Sequence, residues 1–478
     1  MRINQIVIVI VATALASLGA PLSTSAQSTL VVREPAPFAR DGGSESNGTP
    51  MPSVVQLPAQ LFDTTVANSA LSTVDPASSE LITAPSPGTS SAVVEFPLQE
   101  FVFLAQTSNP ALREASAKVR VAQGQALQTG LYPNPTFYTG SPQWTGSISQ
   151  YNWFLGQDFI TGGKLRLNRA AGLRSVEQAQ LDLTRVRFDV ITAVRRQFYV
   201  TAAAQQRMET LAQLRQVSTR SRDLGQKLFK AGETNEADAT LLDIENDQTE
   251  ITYQNSVAAF LASRRQLAAV VGIPDMTIDR LQFDLASPLP AYDHEALRRG
   301  VVDQNSLAAI AVVEIQKTQT QLRRAVVEPR PNFNIQAGYQ YSVEGPHNDQ
   351  GYAQFAMAMP IWNRNQGGIR AAQAETVRAT AALQRVENEL SEQVARALGE
   401  YAAAGERVAI YEERLLPKAR EVFRINQSLF EQGQTDSLRL LQSQRTLIEA
   451  DLGYLNAQEA RWTAAATIAG LLQLEEFP

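Results

Sequence analysis

The chain has 478 residues, 44% of them hydrophobic and 19% charged, with no cysteine and two histidines. That composition excludes disulfides, thiolate metal sites and cysteine nucleophiles, and it leaves too little histidine for a His-rich metal centre or a common acid/base relay. Forty-two basic residues against 48 acidic ones give a formal charge of −6, so there is no global basic field for nucleic acid. Mean hydropathy is slightly negative, which argues against a helical membrane protein. Heavy use of Ala, Leu, Gln and Arg leans towards long helices. The length alone suggests about three domains.

Arg2 precedes an apolar run from Ile6 to Leu18, followed by Pro21 and the small residues Ser23 to Ala26. This is the layout of a secretory signal peptide over residues 1–26, with Ala20 as the second choice of cut. The apolar core is shorter than the ~20 residues that a helix needs to cross a bilayer. No cysteine follows it, which excludes a lipidated N-terminal cysteine. Residues 27–95 are rich in Pro, Ser and Thr with no sustained apolar period. Such a segment cannot bury enough surface to offset its ordering entropy, so a disordered leader is expected.

Proline spacing organises the remainder. No proline occurs between Pro142 and Pro274, or between Pro360 and Pro417. Proline costs ~3 kcal/mol inside a helix, so these gaps are where helices can run. Gly162-Gly163 and Gly232 bracket one run, and Gly367-Gly368 and Gly433 bracket another. The spacing predicts helices over 164–231 and 369–432, each about 100 Å long at about 1.5 Å per residue. Leu383, Val386, Leu390, Val394, Ala397, Tyr401, Ala404, Val408, Tyr411 and Leu415 mark a heptad-like seam with one stutter on the second. Arg385, Glu389, Glu392, Arg396, Glu406 and Arg407 form its solvated face.

The two halves repeat. Asn109-Pro110-Ala111-Leu112 parallels Asn305-Ser306-Leu307, and Pro133-Asn134-Pro135 parallels Pro329-Arg330-Pro331. Phe229-Lys230-Ala231-Gly232-Glu233-Thr234 parallels Phe430-Glu431-Gln432-Gly433-Gln434-Thr435. Each half reads as a short helix, a β-hairpin, a very long helix, a tight glycine turn and a medium helix. The first repeat spans 96–274, with a short helix at 110–130, strands at about 135–160 and a medium helix at 236–271. A linker covers 275–304. The second repeat spans 305–478, with strands at about 332–360 and a medium helix at 437–472.

Residues 332–341 alternate strictly. Phe333, Ile335, Tyr339 and Tyr341 point one way, and Asn334, Gln336 and Gln340 the other. That length fits a tilted transmembrane strand, with its aromatic ends at the interfaces. The apolar set therefore reads as lipid-facing and the polar set as lumen-facing. Phe355 and Met357 join the lipid set from the next strand. Tyr151, Trp153 and Leu155 alternate on an earlier strand, and the strand around Phe137 and Trp144 is broken by Gly140 and Pro142. Four strands cannot close, since membrane barrels start at about eight, and an open edge is not tolerated in hydrocarbon. Strands that span a membrane here must be shared between several chains.

Across residues 96–474 the sequence resembles the TolC family of outer-membrane efflux ducts. The long-helix starts carry the likeness, Gln157-Asp158-Phe159-Ile160-Thr161-Gly162-Gly163-Lys164 and Pro360-Ile361-Trp362-Asn363-Arg364-Asn365-Gln366-Gly367-Gly368-Ile369. Both are similar to the branch serving heavy-metal pumps of the resistance-nodulation-division (RND) type. The resemblance implies a homotrimer, mainly α with a membrane β-barrel, in which three chains share a twelve-stranded barrel and an α-helical periplasmic tunnel. It implies residence in outer-membrane lipid, extension into the periplasm, and partnership with a periplasmic adaptor and an inner-membrane pump. It places adaptor docking at Gly232, Glu233, Thr234, Gly433, Gln434 and Thr435. It places the aperture at Phe430, Asp436, Arg439 and Gln442, where Arg439 and Gln442 stand in place of the family's acidic ring. Segments near 97–106 and 272–304, with the C-terminus, would form an equatorial belt.

No catalytic, cofactor or metal site is expected. His294 reads as a residue just before a helix, suited to capping or to the surface, and His347 lies in the turn Gly345 to Asp349. Gly162-Gly163-Lys164 lacks the spacing of a phosphate loop. The expected function is an exit duct for metal cations or small toxic compounds. A secretion channel for polypeptides and a soluble periplasmic coiled-coil scaffold are the alternatives, and the scaffold does not explain the alternating strands.

Overall fold

The computed structural model describes residues 95–143, 150–342, 350–432 and 434–477. The expected signal peptide, the leader up to residue 94, Trp144, His347 and Gly433 lie outside the described residues. The first repeat runs through β1 (Glu95–Phe96), α1 (Leu98–Ser108), α2 (Pro110–Gln128), β2 (Thr136–Gln143), β3 (Gln150–Phe159), α3 (Lys164–Ala231) and α4 (Glu236–Val271). The connection carries β4 (Arg280–Leu281) and α5 (His294–Gln304). The second repeat continues through α6 (Ser306–Val327), β5 (Phe333–Ser342), β6 (Gln350–Met357), α7 (Gln366–Ile410), a π-helical turn (Tyr411–Leu415), α8 (Leu416–Glu431) and α9 (Ser437–Leu471).

Helix α3 is 68 residues long, about 100 Å. Gly162 and Gly163, both at φ 69°, lead into it, and Gly232 at φ 74° ends it. Helices α2 and α6 pack along its N-terminal half, and α4 returns along its C-terminal half. Polar pairs stitch these contacts, such as Gln178 to Glu314, Arg324 to Asn168 and Gln226 to Asp243.

The second long run departs from the expected single helix over 369–432. It starts at Gln366, and the left-handed residue ahead of it is Asn365 at φ 58° rather than a glycine. It is then interrupted over Tyr411–Leu415 by a π-helical turn. Pro417 offers no N–H, and its ring excludes the carbonyl one turn earlier, so the wider turn absorbs the conflict without ending the run. The seam holds through Leu390, Val394, Ala397, Ala404 and Val408, which are buried. The wider turn then shifts the face by one position: Leu415 is exposed and Leu416 is buried in its place. On the opposite face Arg385 pairs with Glu389 and Arg396 with Glu392.

The expectation of about three domains also fails, because all described residues belong to one compact unit. One core gathers Leu98 and Phe101 of α1, Val194, Phe198 and Tyr199 of α3, Ile278 and Leu281 of the connection, and Trp462 of α9, with Phe477 from the tail. The buried Arg195 anchors that tail by donating to the carbonyls of Leu474 at 2.8 Å and Glu475 at 2.5 Å. His294 is the first residue of α5, and Asp293 is its cap, accepting from the Ala296 amide at 2.8 Å.

Candidate functional site

The four long strands form one antiparallel sheet in the order β2-β3-β5-β6. Directly opposed residues share a face. Phe159 pairs with Phe333 and Phe333 with Met357, while Trp153 pairs with Tyr339. These lie on one face with Tyr151, Leu155, Ile335, Tyr341 and Phe355. Gln340 pairs with Asn152 and Gln350, Gln336 with Gln354, and Asn334 with Asp158, all on the other face. Phe159 and Phe333 stack at 4.9 Å between ring centroids, whereas Asn334 donates to Asp158 Oδ1 at 2.7 Å. Along β5 the residues from Ile335 to Tyr341 on the apolar face are exposed, and the alternate Gln336, Gly338 and Gln340 are less so. A sheet curled around its polar face has this pattern.

One row of the polar face is aromatic. Tyr138 pairs with Phe154, Phe154 with Gly338, and Gly338 with Tyr352. The Phe154 and Tyr352 rings meet edge to face at 5.2 Å across Gly338. A Cβ on Gly338 would fall 2.1 Å from the Trp153 carbonyl oxygen and 2.3 Å from Phe154 Cδ1, so glycine is required there.

The strand-to-helix junction is built around Lys164. Its side chain is buried, and Nζ donates to the Arg330 carbonyl at 2.7 Å and to Asn332 Oδ1 at 3.0 Å. Thr161 Oγ1 donates to the Pro331 carbonyl at 2.5 Å. The Gly-Gly-Lys triplet thus locks the start of α3 to the start of β5. Its signal in the sequence was the triplet itself, but its partners lie in the other repeat.

At the far ends of the long helices the two turns are built alike. The Glu233 amide donates to the Leu228 carbonyl and the Gln434 amide to the Leu429 carbonyl, each at 2.9 Å. In the first turn this is the closing bond of a helix that ends on the left-handed Gly232. Asn235 then caps α4 through the Asp238 amide at 2.8 Å, and Asp436 caps α9 through the Arg439 amide at 3.1 Å. Gly232, Glu233, Gln434, Asp436, Arg439 and Gln442 are exposed, and Thr234 and Thr435 half-buried. Phe430 is buried in a core with Leu440 and Leu441, so of the four aperture residues it alone does not reach the surface; its repeat partner Phe229 is exposed instead.

Sequence reasoning missed the links between the two return helices. Ser437 Oγ and Asp238 Oδ1 lie 2.7 Å apart. Arg445 donates to Glu245 Oε2 from Nε at 2.9 Å and from Nη2 at 2.6 Å, and the buried carboxylate holds the guanidinium above its ordinary pKa. No sequence signal joins groups this far apart in the chain. Farther along α9, burial raises the Asp451 carboxyl above its usual range, and Arg420 at 3.3 Å opposes the shift. Among the described residues no helix is long and apolar enough to cross a membrane, and no group of three His, Cys, Asp or Glu side chains could hold a metal ion.

The duplicated chain thus carries its two-faced sheet on one helix about 100 Å long and on a second run broken by the π-helical turn. Residues 303–472 match the family described as outer membrane efflux protein. The cobalt-zinc-cadmium resistance protein CzcC of Cupriavidus metallidurans is 24% identical over 377 residues, covering 78% of this chain and 89% of that one. The crystal structure of CusC shares the fold with a TM-score of 0.68 at 15% identity, over 80% of this chain and 92% of that one. VceC of Vibrio cholerae does so with a TM-score of 0.66 at 17% identity, over 79% and 96%. Residues 303–472 thus resemble the outer membrane efflux proteins, and most of the chain shares the fold of CusC and VceC.

Proposed function

We propose that three copies of this chain form the exit duct of a tripartite efflux system for heavy-metal cations. The single observation that carries the reading is the four-stranded sheet, apolar on one face and polar on the other, with no further strand on either edge among the described residues. Unpaired backbone groups are not tolerated in hydrocarbon, so copies must complete one another's barrel. Phe333, Ile335, Tyr339, Tyr341, Phe355 and Met357 then face lipid, and Asn334, Gln336 and Gln340 face the lumen. The trunk carries cargo from a periplasmic adaptor and an inner-membrane pump of the RND type. The tips Gly232, Glu233, Thr234, Gly433, Gln434 and Thr435 dock the adaptor, and Asp436, Arg439 and Gln442 surround the aperture. Transport through the duct is passive, since a polar wall suffices and the pump supplies the work. The cargo class is supported by the likeness to a cobalt-zinc-cadmium resistance protein across 89% of its length.

Deleting the chain from its host tests this. Sensitivity to cobalt, zinc or cadmium should rise and return to normal on complementation, and the protein should stay in the outer membrane through a high-salt wash. Unchanged metal tolerance overturns the cargo. Release by salt overturns the duct.

A further inference from the structure

The internal repeat predicts a contact that a single copy cannot show. Within the chain, the end of β3 lies beside the start of β5, where the two repeats meet. Phe159 pairs with Phe333 and stacks on it. Below that pair Thr161 and Lys164 hold the carbonyls of Pro331 and Arg330. The two hairpins have equivalent registers: Phe137 opposes Leu155 in the first, and Phe333 opposes Met357 in the second. Phe137 therefore stands where Phe333 does, just after its Pro-x-Pro, and Met357 stands where Leu155 does. Carried forward along the second repeat, the places of Phe159, Thr161 and Lys164 are taken by Ile361, Asn363 and Gln366. Gly163 maps in the same way onto Asn365, and both are left-handed.

Exposure agrees with this mapping. At the inner junction Phe159 is 36% exposed, against 57% for its counterpart Ile361, and residues 160–163 and 329–332 add no exposed large apolar side chain. The two outer junctions are covered with them: Leu131, Tyr132 and Phe137 ahead of and within β2, and Met359, Ile361 and Trp362 after β6, the last 86% exposed. Both outer segments lie at the helix end of the sheet, on opposite edges. In a shared barrel β6 of one copy runs antiparallel beside β2 of the next.

We infer that Ile361 of each copy packs on Phe137 of the next copy, repeating between chains the Phe159–Phe333 contact made within one. Met359 then opposes Thr139 of the next copy. Asn363 and Gln366 reach the carbonyls of Pro135 and Asn134 there, as Thr161 and Lys164 reach Pro331 and Arg330. Trp362 closes the seam from the side. This rests on the shared-barrel reading and adds to it the register of the joint and the residues each copy supplies.

The chain has no cysteine, so crosslinks form only where cysteines are introduced. The test is Ile361→Cys with Phe137→Cys in outer membranes under mild oxidation, and Met359→Cys with Thr139→Cys as a second pair. A ladder ending at covalent trimer is expected for at least one pair and absent from each single variant. Phe355→Cys with Phe137→Cys, shifted by six residues or about 20 Å along the strand, should give none. Light scattering in mild detergent separates the seam from the shared barrel. A trimer that fails to crosslink through either pair, or that crosslinks equally through the shifted pair, overturns the seam alone. A monomer overturns the shared barrel with it.

Discussion

The side-chain amide of Asn109 donates to the carbonyl of Val270 at 2.9 Å, and one repeat later Asn305 donates to Leu471 at 3.0 Å. Each asparagine also accepts from an amide two residues on, Ala111 or Leu307, at 2.9 Å. One side chain therefore caps the short helix of its repeat and ties it to the tail of the return helix.

Asn305→Ala should remove the cap and leave the Leu471 carbonyl without its donor, costing about 1–2 kcal/mol. Asn305→Asp keeps the capping oxygen but not the donor and should fall between the two. The temperature at which the detergent-extracted assembly dissociates reports the order.

The two faces of β5 predict opposite sensitivities. Ile335→Arg should cost up to ~2–4 kcal/mol if it lies near the bilayer midplane. Gln336→Arg should assemble normally and alter single-channel conductance instead. Equal loss of assembly would contradict the assigned faces.

Gly338→Val should block barrel formation, since the new Cβ meets the Trp153 carbonyl and the Phe154 ring together. Gly351→Val, with open space around its Cβ position, should be tolerated. Membrane fractionation and heat-modified gel mobility distinguish them.

Gly232 combines a positive φ with open surroundings. Gly232→Val should therefore strain only the turn, by about 1–2 kcal/mol. The assembly should still insert, and on the proposed docking of the adaptor at this tip both export and adaptor crosslinking should fall. Normal export with normal crosslinking would make the tip a structural turn only.

Glu245 is buried while Arg445 stays half exposed. Arg445→Met alone should leave an uncompensated carboxylate and cost about 1–3 kcal/mol. Adding Glu245→Leu should recover part of that loss. A double variant less stable than the single would contradict the coupling.

Much of this architecture follows from local rules that a sequence carries by itself. The proline gap and the flanking glycines set α3 because helix interiors exclude proline and helix ends favour positive φ. Strict alternation set the faces of β5 because the strand period is two. The repeated Asn, Pro-x-Pro and Phe-x-x-Gly motifs set the duplication. Tertiary structure decided what depends on groups distant in the chain. The π-helical turn before Pro417 moved Leu415 out of the seam and Leu416 into it. Packing against Leu440 and Leu441 buried Phe430 while its repeat partner Phe229 stayed outside. Asn365 took the left-handed place next to a glycine pair that the helix then absorbed. Lys164 became a clamp between the repeats, and Glu245 met Arg445 across the return helices, because only folding brings such partners within hydrogen-bond distance.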